Sequence, residues 1–81
     1  MNAVDLATVR KYLGKNYPQT RFDYNANNDV IYIGVAPRGA ASSASAWTLA
    51  KLTYDGSNNV TLIQTSEDNQ VWDNRTTATY A

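Results

Sequence analysis

The 81-residue chain has no cysteine, no histidine and a single methionine, and its seven basic residues are matched by seven acids. Each gap closes a class of function. Without Cys there is no disulfide framework, no thiolate zinc cluster and no thiol nucleophile. Without His, nucleophilic schemes that rely on an imidazole base are excluded, and a transition-metal site would have to be built from carboxylates and amides. Zero net charge argues against partners held mainly by charge. A nucleic-acid binder gathers its bases on one face, whereas Arg10, Lys11, Lys15, Arg21, Arg38, Lys51 and Arg75 are spread among acids. The longest apolar run, 30–36, is far shorter than the ~20 residues of a membrane span, and the N-terminus lacks the basic-then-apolar pattern of a secretory signal. No nucleic acid and no membrane are expected as partners, and the chain reads as a complete, unprocessed soluble product.

What is present suits one small domain, 1–81. A chain of this length buries only roughly 60–65% of the surface it exposes when unfolded, so stability borrowed from a partner is expected. Apolar residues Val4, Leu6, Val9, Tyr12 and Leu13 fall at helical spacing behind Asn2 as N-cap, which predicts a helix over 2–13 ended by Gly14 and Pro18. Residues 1–16 are assigned to this helical segment. The stretch 17–29 reads as an extended lead-in or short edge strand with Phe22 and Tyr24, closed by a turn at 25–28. From 30 to the end, short runs of Val, Ile, Thr, Tyr and Trp alternate with Asn, Asp, Gly and Ser clusters, the signature of strands and turns. Strands are expected at 30–35, 47–54, 60–65 and 71–80. A loop of small residues joins the first two at 38–46, and an Asp55-Gly56 hairpin turn supplies positive backbone angles between the next pair. No internal repeat is read. The expected fold is α+β, mostly β: a short N-terminal helix followed by an antiparallel meander of about four strands over 30–81.

Acids are the only plausible catalytic groups. Glu67 with Asp68, and Asp73 beside Asn74 and Arg75, sit in or near turns, where acids cap the backbone and keep edges soluble. A glycosidase would need two carboxylates at a fixed separation across a sugar. Gly34, Gly39 and Gly56 are isolated, so no phosphate cradle is present, and the 55–59 turn has too few carboxylates for calcium. Neither enzyme activity nor a cofactor or metal is expected. Six Tyr and two Trp leave one binding alternative, in which Trp47, Trp72, Tyr32 and Tyr54 stack on sugar rings, although in so small a domain the two indoles are the largest pieces available to a core.

Read in order, Tyr32-Ile33-Gly34, Ala36-Pro37, Gly39, an Ala/Ser run, Trp47, Lys51-Leu52-Thr53-Tyr54-Asp55-Gly56-Ser57, Asn59-Val60-Thr61 and Val71-Trp72-Asp73-Asn74-Arg75 through Thr79-Tyr80 resemble a group of small proteins and terminal domains of tailed bacteriophages. The resemblance covers roughly 32–80. Asn74 stands where that group tends to have a second Asp, which removes one possible partner of Arg75. The resemblance implies a minor structural protein of a virion, made in the bacterial host cytoplasm. It would be an adaptor or decoration subunit of head, neck, tail or fibre, assembled by contacts with other virion proteins and present as a homo-oligomer or in many copies. The alternative is a carbohydrate-binding, receptor-recognition module of a fibre or tail tip. For the structural role the expected contact residues are Val4, Leu6, Val9 and Leu13 on the helix and Arg38 and Gly39 in the small-residue loop, with the C-terminal strand free to pair edge to edge.

Overall fold

The computed structural model describes residues 18–81. They form five antiparallel strands: β1 (Gln19–Tyr24), β2 (Val30–Ala36), β3 (Ser45–Tyr54), β4 (Val60–Thr65) and β5 (Gln70–Val71). The sheet order is β1-β2-β3-β4, and β5 pairs with the first part of β3, ahead of the stretch that β4 occupies. The α+β expectation is thereby corrected to a mostly β fold. Among the described residues the sole helical element is a 3-10 turn at Trp72–Asn74, and the helix expected over 2–13 lies outside them.

The last expected strand is also corrected. Only Gln70 and Val71 pair with β3; the chain then turns through Trp72–Asn74 and runs irregularly to Ala81. Asp and Asn after Trp72 favour a turn over continued pairing, and the turn lets the indole fold back onto the sheet. The tail ends as a bridge: Thr65 and Ala81 exchange backbone hydrogen bonds of 3.3 and 3.1 Å on the outer side of β4.

A repeat missed in the sequence appears in the two hairpin turns. Asn25 Oδ1 accepts the backbone N–H groups of Asn27 and Asp29 at 2.8 and 3.0 Å, and Asp55 Oδ1 accepts those of Ser57 and Asn59 at the same two distances. Asn28 and Asn58, each at φ 62°, supply the left-handed residue that closes the loop, so the positive angle sits at Asn58 and not at Gly56. Each hairpin then carries one extra residue in its return strand, Ile31 opposite the step from Asp23 to Tyr24 and Thr61 opposite the step from Thr53 to Tyr54. The aligned segments are Tyr24-Asn25-Ala26-Asn27-Asn28-Asp29-Val30 and Tyr54-Asp55-Gly56-Ser57-Asn58-Asn59-Val60.

The two turns differ in one titratable atom set. Hydrogen bonds from the backbone N–H groups of Asn59 and Ser57 hold the Asp55 carboxyl below its ordinary value. A depressed folded value means that this contribution to stability is present at neutral pH and is lost as pH falls below about 4. Asp55→Asn, which reproduces the amide found at Asn25, is expected to keep the turn and flatten the fall in melting temperature between pH 5 and 2.5, as read by circular dichroism.

Side chains divide between two faces. Ile33, Val35, Ala50 and Leu52 are buried on one, with Val30, Tyr54, Val60 and Ile63 packed against them. Ala36, Trp47, Leu49 and Trp72 are buried on the other, with Tyr32, Ala40, Ala78 and Tyr80 around them. The C-terminal tail supplies Trp72, Ala78 and Tyr80, so it covers this second face.

Candidate functional site

Some of the residues that carried the resemblance, Tyr32, Gly34, Trp47, Trp72 and Tyr80, meet on the tail-covered face, while Ile33, Leu52, Tyr54 and Val60 lie on the opposite one. Gly34 lies directly opposite Leu49 in the β2-β3 ladder. A methyl group built on Gly34 would stand 2.6 Å from Cε3 of Trp72 and 3.0 Å from Cε3 of Trp47, so Gly is required here by the approach of two indoles. The indoles meet at 5.8 Å between ring centroids, tilted by 42°. That tilted, offset arrangement suits the ring quadrupoles. Trp47 is fully buried and donates its Nε1–H to the Ala41 carbonyl at 2.9 Å, which ties the small-residue loop to the core. Ser42 joins that loop to the tail: its carbonyl accepts the Asp73 N–H at 3.1 Å, and its hydroxyl donates to Asp73 Oδ2 at 3.3 Å.

Arg75 closes the layer. Its guanidinium lies 4.6 Å above the Trp72 ring, donates through Nε to Asp23 Oδ2 at 2.9 Å and through Nη1 to the Trp72 carbonyl at 3.2 Å. The partner removed by Asn74 is thus replaced by an acid from β1, 52 residues away in sequence. Tyr80 donates its hydroxyl to the Arg75 carbonyl at 2.8 Å and sets its ring 6.0 Å from that of Tyr32. Burial, with a smaller contribution from Tyr32 and against the influence of Arg75, pushes the Tyr80 hydroxyl up to about 12. A raised folded value means that the docked tail is fully stabilised below pH 10 and loses this contribution as pH rises through about 12. Tyr80→Phe is expected to remove the latest component of the tyrosinate absorbance titration and to lower stability by about 0.5–1.5 kcal/mol through loss of the hydrogen bond.

Scanning family models and searching curated proteins and solved structures returned no match for this chain.

The sequence-selected residues fall into three places. Trp47 and Trp72 are 0% and 6% exposed beneath the tail, with Tyr32 half-buried beside them, while Tyr54 is half-buried on the opposite face and donates to the Val30 carbonyl at 2.6 Å. The four aromatics named for sugar stacking therefore do not form one open row. Arg38 and Gly39 are exposed in the 37–40 turn, where Gly39 takes φ 82° and the Ala40 N–H returns to the Pro37 carbonyl at 3.2 Å. Val4, Leu6, Val9 and Leu13 lie outside the described residues. Four of the acids are engaged in the fold: Asp68 accepts from the Thr48 hydroxyl at 2.8 Å, Asp73 from Ser42, Asp23 from Arg75 and Asp55 from its own turn. Among the described residues no three acids gather in a way that could hold a metal ion.

One feature, Asp29, was not singled out in the sequence, and another, the pair Phe22 and Tyr24, was named there only as part of an extended segment. Asp29 is buried, yet neither of its carboxylate oxygens has a hydrogen-bond partner. Its backbone N–H explains its place, since Asn25 needs that group to close the turn. The second feature is an exposed aromatic pair on β1. Phe22 and Tyr24 are 41% and 53% exposed with ring centroids 6.4 Å apart. Their i, i+2 spacing on a strand was the available signal.

Proposed function

We propose that the chain is a minor structural protein of a tailed-phage virion, an adaptor or decoration subunit assembled through protein contacts. The observation that carries this reading is the convergence of Tyr32, Gly34, Trp47, Trp72, Arg75 and Tyr80 into one interlocked layer. On this reading these six residues serve architecture: they hold a tail down on a sheet, and no reacting centre is needed to explain them. The surface left over consists of strand edges, two near-identical turns and exposed rings, which are the elements that meet other proteins. Weak salt dependence of binding follows, because apolar area and backbone pairing dominate over charge.

The test is quantitative mass spectrometry of gradient-purified particles of the phage that encodes the chain, alongside infected-cell lysate. A constant stoichiometry relative to a major particle protein, retained through a high-salt wash, is the expected result. Presence in lysate with absence from particles would overturn the reading.

A further inference from the structure

We propose that the sheet face formed by Ile33, Val35, Ala50 and Leu52 is the docking site of the chain's own segment 2–13, seated there as an amphipathic helix. That segment lies outside the described residues. The described residues cover the two faces unequally. Trp72, Ala78 and Tyr80 bring the C-terminal tail to one face, whereas the hydrophobic residues packed around Ile33, Val35, Ala50 and Leu52 all come from β2, β3 and β4 themselves. Yet Ile33, Val35 and Ala50 are 0% exposed and Leu52 is 3% exposed.

Neighbours within a sheet shield the flanks of a side chain and leave its outward tip to water, so a second layer lies over these four. Their burial is a property of one chain. A second copy or another protein therefore does not supply the layer, and residues 1–17 are the part of the chain left to do so. Phe22 and Tyr24, opposite Ile33 and Val30, share this face at its β1 margin and stay 41% and 53% exposed. The layer is thus narrower than the sheet, as a single helix about 10 Å across would be.

Reach, length and pattern agree with that occupant. The chain enters the sheet at Gln19, opposite Ala36, one rung before Thr20 meets Val35. Residues 14–18 can span up to roughly 17 Å, and β3 lies only about 10 Å across the sheet from β1. A helix over 2–13 is about 18 Å long, which matches the roughly 17 Å that strand geometry gives from Val30 to Val35. At 3.6 residues per turn, Leu6, Val9 and Leu13 fall within about 60° of one another, with Lys11 and Lys15 on the far side. Val4 falls with the lysines. Of the four helix residues expected to meet another virion protein, three are then used inside the chain and Val4 alone is left over. The inference stands independently of the phage reading.

Methyl NOESY spectra of the isotope-labelled full chain test it. Cross-peaks from Leu6, Val9 and Leu13 to Ile33, Val35 and Leu52 are expected, unchanged on tenfold dilution and absent between chains when labelled and unlabelled protein are mixed. Val9→Asp, which buries a charge, should lower the melting temperature by roughly 8 °C or more, while Val4→Asp should shift it by less than about 4 °C. If Val9→Asp does not fold, the spectra of the unaltered chain still decide. Cross-peaks found only between chains, no cross-peaks at all, or equal losses from Val4→Asp and Val9→Asp would overturn the proposal.

Discussion

Trp47→Ala is expected to leave much of the protein unfolded at 37 °C. The indole is fully buried, packs on Trp72 and anchors the 37–44 loop through Ala41. Removing a buried Trp costs about 3–5 kcal/mol from lost transfer energy and the cavity left behind. A domain of this size has only about 5–15 kcal/mol in total. At roughly 4–8 °C per kcal/mol, the melting temperature should fall by roughly 12–40 °C. Trp47→Phe should lose much less, since it keeps a ring in the site and gives up mainly the hydrogen bond to Ala41. Thermal melts of both variants check the ordering. Equal, small losses would mean that the layer does not depend on this ring.

The second large effect is a change of sign. Gly34→Ala places a methyl group inside contact distance of both indoles, and overpacking of this kind costs about 1–3 kcal/mol. In a Trp72→Ala background the nearest obstacle is gone, and Ala in a strand interior is favoured over Gly by about 0.5–1 kcal/mol. Gly34→Ala should therefore destabilise the native chain and be neutral or stabilising beside Trp72→Ala. The double-mutant cycle in urea reads this coupling directly. Additive effects would show that Gly34 is not held as glycine by Trp72.

Particular residues show what the sequence made legible. β4 is read with its observed limits, and β2 and β3 to within two residues, because Val, Ile, Thr and Tyr runs are bounded by strong turn formers. β1 was open between a lead-in and an edge strand, since Arg21 and Asp23 interrupt its apolar pattern; their role lies across space, over Trp47 and against Arg75. The 71–80 segment misled by composition. Its Thr-rich alternation favours a strand locally, but docking of Trp72 on Gly34 decides the path, and a contact 38 residues apart leaves no periodic trace. The duplicated turn escaped notice because its two copies share Tyr, a turn-forming Asn or Asp, a left-handed Asn and Val while differing between them. For the candidate site, the sequence names Gly34, Trp47 and Trp72 separately, and only the fold brings them into contact across the sheet.

Both indoles lie inside the molecule. Acrylamide quenching of tryptophan fluorescence on the folded chain, with and without host polysaccharide, measures that placement directly. A blue-shifted emission that acrylamide quenches slowly, unchanged by saturating polysaccharide, is the predicted result. Emission near that of free tryptophan, or a saturable change on adding the saccharide, would contradict it.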